Sequence, residues 1–113
     1  MLSRHRQISK DEFPGIMKNG RSYFSSRISL RILKQEATGK QSRFAFVVSA
    51  KSVKTGVERN LLRRRARHAV YKHLPEIKDG FLCAFFLKHD LLKLKFPILE
   101  NEFIMLLQQA KLI

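Results

Sequence analysis

Seven consecutive apolar residues, Phe81-Leu82-Cys83-Ala84-Phe85-Phe86-Leu87, limit the fold of this chain more than any other feature. The run is far shorter than the ~20 residues needed to span a bilayer. It lacks the in–out alternation of a half-buried strand, so it reads as a strand covered on both faces. A chain of 113 residues builds one domain around such a strand, over residues 1–113. Cys83, the single cysteine, sits inside the run and reads as a core residue. With no second cysteine there is no intrachain disulfide, which suits a reducing cytosol. Met1 to Lys10 is charged and has no apolar h-region, so no secretory signal is expected and the cytoplasm is the expected compartment.

Other elements follow from periodicity. Ser9-Lys10-Asp11-Glu12 reads as a capping box opening a first helix, with Ile8 and Phe13 as a hydrophobic staple. Phe13 and Met17, four apart, share a face, and Gly20 is a suitable stop. Pro14 is awkward there, because its missing N–H would break a backbone bond at the fifth helical position. The helix therefore begins near Pro14 or is distorted at it. Tyr23 to Leu33 alternates, with Phe24, Ser26, Ile28, Leu30 and Ile32 inward, and reads as one half-buried strand. A turn around Gly39 leads to a second alternating strand, Arg43 to Ser49, with Phe44, Phe46 and Val48 inward and the small Ala45 and Val47 opposite.

Val57 to His73 is the strongest helix, with Leu62, Ala66, Ala69, Val70 and His73 as its buried stripe and Pro75 ending it. Leu99, Phe103, Leu106, Leu107 and Ala110 mark a C-terminal amphipathic helix, with Pro97 near its start. The order helix, strand, strand, helix, strand, helix predicts an α/β (α+β) two-layer sandwich with a small, mostly antiparallel sheet and one strand-helix-strand crossover. Such crossovers are almost always right-handed.

The charge is +14, from 23 Lys and Arg against 9 Asp and Glu. Half of it lies in residues 51–73, where eight basic residues face a single acidic one, whereas residues 74–113 balance five against five. Such clustering points to a polyanionic partner. On the long helix Arg59, Arg63 and Arg67 recur every four residues, Arg64 lies beside them near Asn60, and Lys51 and Lys54 extend the patch onto the preceding loop. Guanidinium groups fork onto phosphate oxygens, so this ridge matches a nucleic-acid backbone. As a pattern alone, a basic helix is shared by many DNA and RNA binders.

Ser49-Ala50-Lys51 followed by Val57-Glu58-Arg59-Asn60-Leu61-Leu62-Arg63-Arg64-Arg65-Ala66-Arg67 resembles the signature of the bacterial ribonuclease P protein component family. Asp11-Glu12-Phe13, Met17 and Lys18-Asn19-Gly20-Arg21-Ser22 are similar to that family's first helix and turn, and Arg43-Phe44-Ala45-Phe46-Val47-Val48-Ser49 to the strand before its basic helix. There are departures. Leu61 stands third in an Arg-Asn-Arg motif, so that one phosphate contact is lost or moves to Arg65. Ala50 replaces the first of two lysines, Gly56 an alanine and Met17 a phenylalanine, and Pro14 is foreign to the first helix.

The resemblance implies a sandwich like the second domain of a small-subunit ribosomal protein, with an uncommon left-handed β-α-β crossover. It implies a protein subunit that binds the catalytic ribonuclease P RNA through Lys54, Arg59, Asn60, Arg63, Arg64, Arg65 and Arg67. It implies a cleft for the single-stranded 5′ leader of precursor tRNA, using Phe13, Met17, Tyr23, Lys51, Arg63 and Arg67. The protein assists RNA-catalysed leader removal, so it is a non-catalytic subunit of an endoribonuclease. Magnesium ions are expected in the holoenzyme, held by the RNA, with no cofactor bound by the protein alone. The expected partners are ribonuclease P RNA and precursor tRNA, with no membrane and no obligatory protein partner. The residues agree with a non-catalytic part: the acidic residues are scattered, and His5, His68, His73 and His89 form no facing acid–base pair. The rival reading is a structural, ribosomal-type RNA-binding protein of similar fold.

Overall fold

The computed structural model describes residues 6–36 and 39–113. Its elements are α1 (Phe13–Asn19), β1 (Arg21–Phe24), β2 (Ile28–Lys34), β3 (Arg43–Val48), α2 (Gly56–Tyr71), β4 (Phe81–Leu87) and α3 (Phe96–Gln109). The sheet order is β1-β2-β4-β3. β1 pairs antiparallel with β2 and β2 with β4, while β3 runs parallel to β4 and is joined to it through α2. This is an α+β fold with a mixed sheet. His5 and part of the expected turn before β3, residues 37 and 38, lie outside the described residues.

The apolar run becomes β4, a central strand whose two faces meet different partners. Cys83, Phe85 and Leu87 point with Ile28, Leu30, Ile32, Phe44 and Val48 toward α2 and α3, which present Leu62, Ala66, Ala69, Leu99, Phe103 and Leu107. Burial in that core pushes the Cys83 thiol pKa up, so it stays protonated and inert. On the reverse face Leu82 and Ala84 pack with Ile16 of α1, flanked by Ile8, Phe13 and Leu33. The sheet therefore carries two helices on one face and one short helix on part of the other.

Three expectations are corrected. Tyr23 to Leu33 is not one strand but a hairpin. Ser25 turns the chain: its N–H donates to the Ile28 carbonyl at 2.9 Å and its hydroxyl accepts from the Ile28 N–H at 3.2 Å. Phe24 then pairs with Ser29 and is 66% exposed, not inward. Glu102 of α3 holds the turn, accepting from Arg27 Nη1 at 3.2 Å.

In the second correction, the Ser9–Glu12 capping box forms, but it caps a 3-10 turn over Lys10–Glu12. The α-helix itself starts at Phe13, in keeping with the first of the two alternatives for Pro14, so Pro14 falls in its first turn, where no hydrogen bond is lost. In the third, α2 ends at Tyr71, and Pro75 sits in a separate turn, Leu74–Glu76. His73 thus leaves the buried stripe.

His73 takes another part. Its Nε2 lies 2.8 Å from Glu100 and its Nδ1 3.0 Å from Glu76. Neutral imidazole has one N–H, so satisfying both carboxylates requires imidazolium. The Glu100 contact foremost, against an opposing burial effect and with help from Glu76, raises the His73 pKa above its ordinary 6.5. Contacts from His73 and then Lys72 hold Glu100 below its ordinary 4.5. The His73 stabilisation is complete below pH 6.5 and is lost as pH rises through the raised value. The Glu100 part is lost at the other end, as pH falls below 4.5 through the lowered value. Between about pH 6 and pH 8.5 Tm is expected to fall more in the wild type than in His73→Gln. Calorimetry over that range checks it; parallel curves would count against the pairing.

Candidate nucleic-acid interface

The first surface is the outer side of α2. Thr55 caps the helix, accepting from the Glu58 N–H at 3.2 Å and donating to Glu58 Oε1 at 2.9 Å. Glu58 is the only acidic residue in the basic window, and the cap occupies it at the positive end of the helix. The arginines are left uncompensated. Val57, Asn60, Leu61, Arg64 and His68 form the exposed stripe. Arg64 makes no ion pair or side-chain hydrogen bond among the described residues. Arg63 donates to Asn60 Oδ1 at 2.6 Å, which leaves the Asn60 amide free to donate outward. Arg59 is half-buried and donates to the Val53 carbonyl at 2.9 Å, so it also secures the loop that carries the exposed Lys51 and Lys54.

Arg65 departs from the expected set. It donates to the carbonyls of Leu94 at 2.5 Å and Leu92 at 3.5 Å, in and after the turn His89–Lys93. At helical spacing it lies on the side opposite Arg63 and Arg67, so it ties α2 to the chain entering α3 rather than extending the ridge.

The second surface is the reverse face of the sheet, which α1 covers only in part. Strand register sets its rows. Phe24, Ser29, Phe86 and Val47 lie across the four strands in one row, and Ser22, Arg31, Ala84 and Ala45 in the next. At about 4.8 Å per strand these rows are roughly 14 Å wide. α1 sits over the third row, which holds Leu33, Leu82 and Arg43, and its Ile16 also covers Ala84 of the second. Two contacts keep it there. Arg43 pairs with Glu12 through both terminal guanidinium nitrogens, and Arg31 donates to the Met17 carbonyl at 2.6 Å at the helix C-terminus. Burial would raise the Glu12 pKa, but the Ser9 N–H and Arg43 outweigh it and hold the carboxyl below its ordinary value.

The result is an open trough. Its floor is Phe24, 66% exposed, with Val47, Ala45 and Phe86, the last half-buried against the Ile16–Leu82–Ala84 cluster, and Met17, 48% exposed, stands on the α1 side. Arg67 borders the β3 side, lining a cavity with Ala45 and Phe46, and Arg63 lies one turn earlier on the same stripe. Lys51 is exposed in the turn that follows the end of β3. Apolar rings on a flat floor beside cations is a chemistry suited to unpaired bases and their phosphates.

Of the expected cleft residues, Met17 and Arg67 border this trough, while Lys51 is exposed in the turn after β3 and Arg63 lies one turn before Arg67 on α2. Phe13 is half-buried against Ile16, Leu82 and Ala84, mainly as packing. Tyr23 is corrected: it pairs with Leu30 and packs into the α2–α3 core, on the opposite face of the sheet. Periodicity missed Phe24, Arg31 and Phe86. The Ser25-Ser26 pair is a turn signal that would have turned Phe24 outward, whereas nothing in an unbroken apolar run distinguishes Phe86 from Phe85. Among the described residues no three His, Cys, Asp or Glu side chains come together as a metal-binding group. No helix among them is long and apolar enough to cross a membrane.

A family model described as Ribonuclease P matches residues 1–111. A ribonuclease P protein component of Synechococcus elongatus is 37% identical over 79 residues, covering 68% of this chain and 65% of that protein, just under two thirds of its length. That of Symbiobacterium thermophilum is 29% identical over 113 residues, covering 100% of this chain and 96% of the relative. Among solved structures, a mutant ribonuclease P protein of Staphylococcus aureus, described as defective in mRNA degradation, superposes with a TM-score of 0.85 at 20% identity, covering 96% of this chain and 90% of that one. The ribonuclease P protein of Thermotoga maritima superposes at 0.81 with 21% identity, over 91% and 96% of the two chains. With the family model spanning nearly its whole length, and with this sheet and these helices, the chain belongs to the ribonuclease P protein family.

Proposed function

We propose that this chain is the protein subunit of a ribonuclease P, acting in the cytoplasm to assist removal of the 5′ leader from precursor tRNA by a catalytic RNA. The observation that carries the proposal is the pairing of two unlike surfaces on a member of this family: an uncompensated arginine ridge on α2 and an open aromatic trough on the reverse face of the sheet. In this reading Lys54, Arg59, Asn60, Arg63 and Arg64 engage phosphates of the catalytic RNA. The trough takes the leader, with bases over Phe24 and Phe86 and phosphates near Lys51, Arg63 and Arg67. The partners are ribonuclease P RNA and precursor tRNA, without a membrane or an obligatory protein.

The chain supplies binding and orientation. In this reading the reaction's metal ions are held by the RNA, and no chemical step falls to the protein.

Reconstitution tests the proposal. With a bacterial ribonuclease P RNA at low magnesium, the protein is expected to stimulate 5′ maturation of a precursor tRNA and to be inert alone. Cleavage by RNA-free protein, abolished by a His→Ala change, would overturn the assignment of chemistry to RNA. A structural RNA binder would leave maturation unstimulated.

Arg64 and Arg65 make a matched pair within the same experiment. Arg64→Ala is expected to flatten the log–log salt dependence of RNA affinity by about 0.7–0.9, the value of one phosphate contact, with Tm unchanged. Arg65→Ala is expected to lower Tm and leave the slope as it was.

A further inference from the structure

At the outer edge of β3 lies a cavity of about 190 Å³, lined by Gln7, Ile8, Phe44, Ala45, Phe46 and Arg67. The N-terminal segment makes its rim. Gln7 bridges in parallel to Phe44, and the Ile8 N–H donates to the Phe44 carbonyl at 3.1 Å. The wall is aromatic: Phe46 is half-buried and stacks on Phe85 at 5.4 Å with 7° between the rings. A dry cavity of ~150 Å³ admits a benzene ring, so there is room for one aromatic ring here.

The charge at this edge is one-sided. Arg67 lines the cavity and Arg6, nearby, spends one N–H on the Ser42 carbonyl at 3.0 Å. Neither arginine pairs with a carboxylate among the described residues. Both lower the pKa of the Tyr71 hydroxyl, which burial nonetheless pushes up to about 12 and leaves without a hydrogen-bond partner among the described residues. The Tyr71 ring lies against Phe44 and Phe46 at 5.7 and 6.4 Å. An aromatic cavity beside two uncompensated cations is complementary to a planar base joined to a phosphate. The cavity is also continuous with the trough, because Ala45 belongs to both.

We propose that this cavity holds one unpaired nucleotide of the leader, its base against Phe46 and the Gln7 amide and its phosphate toward Arg67. The inference rests on the leader-binding reading of the trough and adds a discrete subsite to it. A strand lying on the Phe24–Phe86–Val47 row passes over the edge of β3 and drops one base into the cavity. The Gln7 amide both donates and accepts, so it meets the polar edge of any base.

The test uses the holoenzyme and a set of precursor tRNAs in which a single abasic site is stepped along the leader. One position is expected to cost the wild type about tenfold in affinity, within the range of one stacked base. In Gln7→Ala, and in Ala45→Leu, which fills the cavity, that penalty should shrink to within about twofold, while mature tRNA binds as before. Gln7 is exposed, so its variant carries the test even where Ala45→Leu misfolds. Penalties unchanged by Gln7→Ala and by a folded Ala45→Leu at every position would overturn the subsite but leave the trough standing. Wild-type affinity indifferent to the whole leader would overturn both.

Discussion

Phe24→Ala is expected to weaken precursor tRNA binding by the holoenzyme about tenfold and to leave mature tRNA unaffected. A stacked base is worth about 1–3 kcal/mol when its aromatic partner is removed, and tenfold corresponds to about 1.4 kcal/mol. Phe24 suits the test because it is 66% exposed and carries little of the core, so the fold should survive its loss. Phe13→Ala is the contrasting variant. Its ring packs with Ile16, Leu82 and Ala84, and losing half-buried apolar contacts of this size costs roughly 2 kcal/mol. It should lower Tm and weaken both tRNA forms alike. Met17→Phe places an aromatic ring at the exposed side of the trough and should leave leader affinity equal or higher. Equal losses for precursor and mature tRNA in Phe24→Ala would remove the leader from this face. Circular dichroism on each variant separates binding from folding.

Phe85→Ala is expected to have the largest effect on stability, about 3–5 kcal/mol. Phe85 is fully buried in β4, stacked on Phe46 of β3 and edge-on to Phe103 of α3 at 5.2 Å. It therefore joins the sheet to the helix layer, and its removal leaves a cavity that neither rigid element can close. Against a total of order 5–15 kcal/mol this is a large fraction. At about 4 °C per kcal/mol, Tm should fall by roughly 12–20 °C in calorimetry. Phe85→Leu should cost less, because it keeps most of the volume. A fall under about 4 °C for the alanine variant would contradict the packing of the two layers.

The helices were the most legible part. α2 and α3 follow from apolar residues at helical spacing with a proline near the end of one and at the start of the other, and their bounds fall within two residues of expectation at α2. The alternation of β3 held as well, with Phe44 and Val48 buried and Ala45 and Val47 on the reverse face. Alternation misled at the hairpin. Strand–turn–strand preserves an apparent period of two in the letters while the chain reverses, so Phe24 was placed with Ile28 although the turn at Ser25 puts it on the other face. The family resemblance placed Tyr23 in the cleft, but its pairing with Leu30 turns it under the helices. Arg65 illustrates a different limit: adjacent arginines look alike in sequence, and only the position of the Leu92 and Leu94 carbonyls separates a tether from a free cation.

By itself, the sequence determined the doubly covered central strand, the basic helix with its buried alanine face, and the concentration of charge in residues 51–73. These are local properties: side-chain polarity and spacing decide them whatever else the chain does. The tertiary structure decided which face of the sheet α1 covers and how far. That depends on pairings between distant residues, Arg43 with Glu12 and Arg31 with the Met17 carbonyl, which hold a short helix over Leu82 and Ala84 and leave Phe24 exposed. A trough is the part of a face that nothing covers, so it is set by the sum of long-range contacts and has no local pattern of its own.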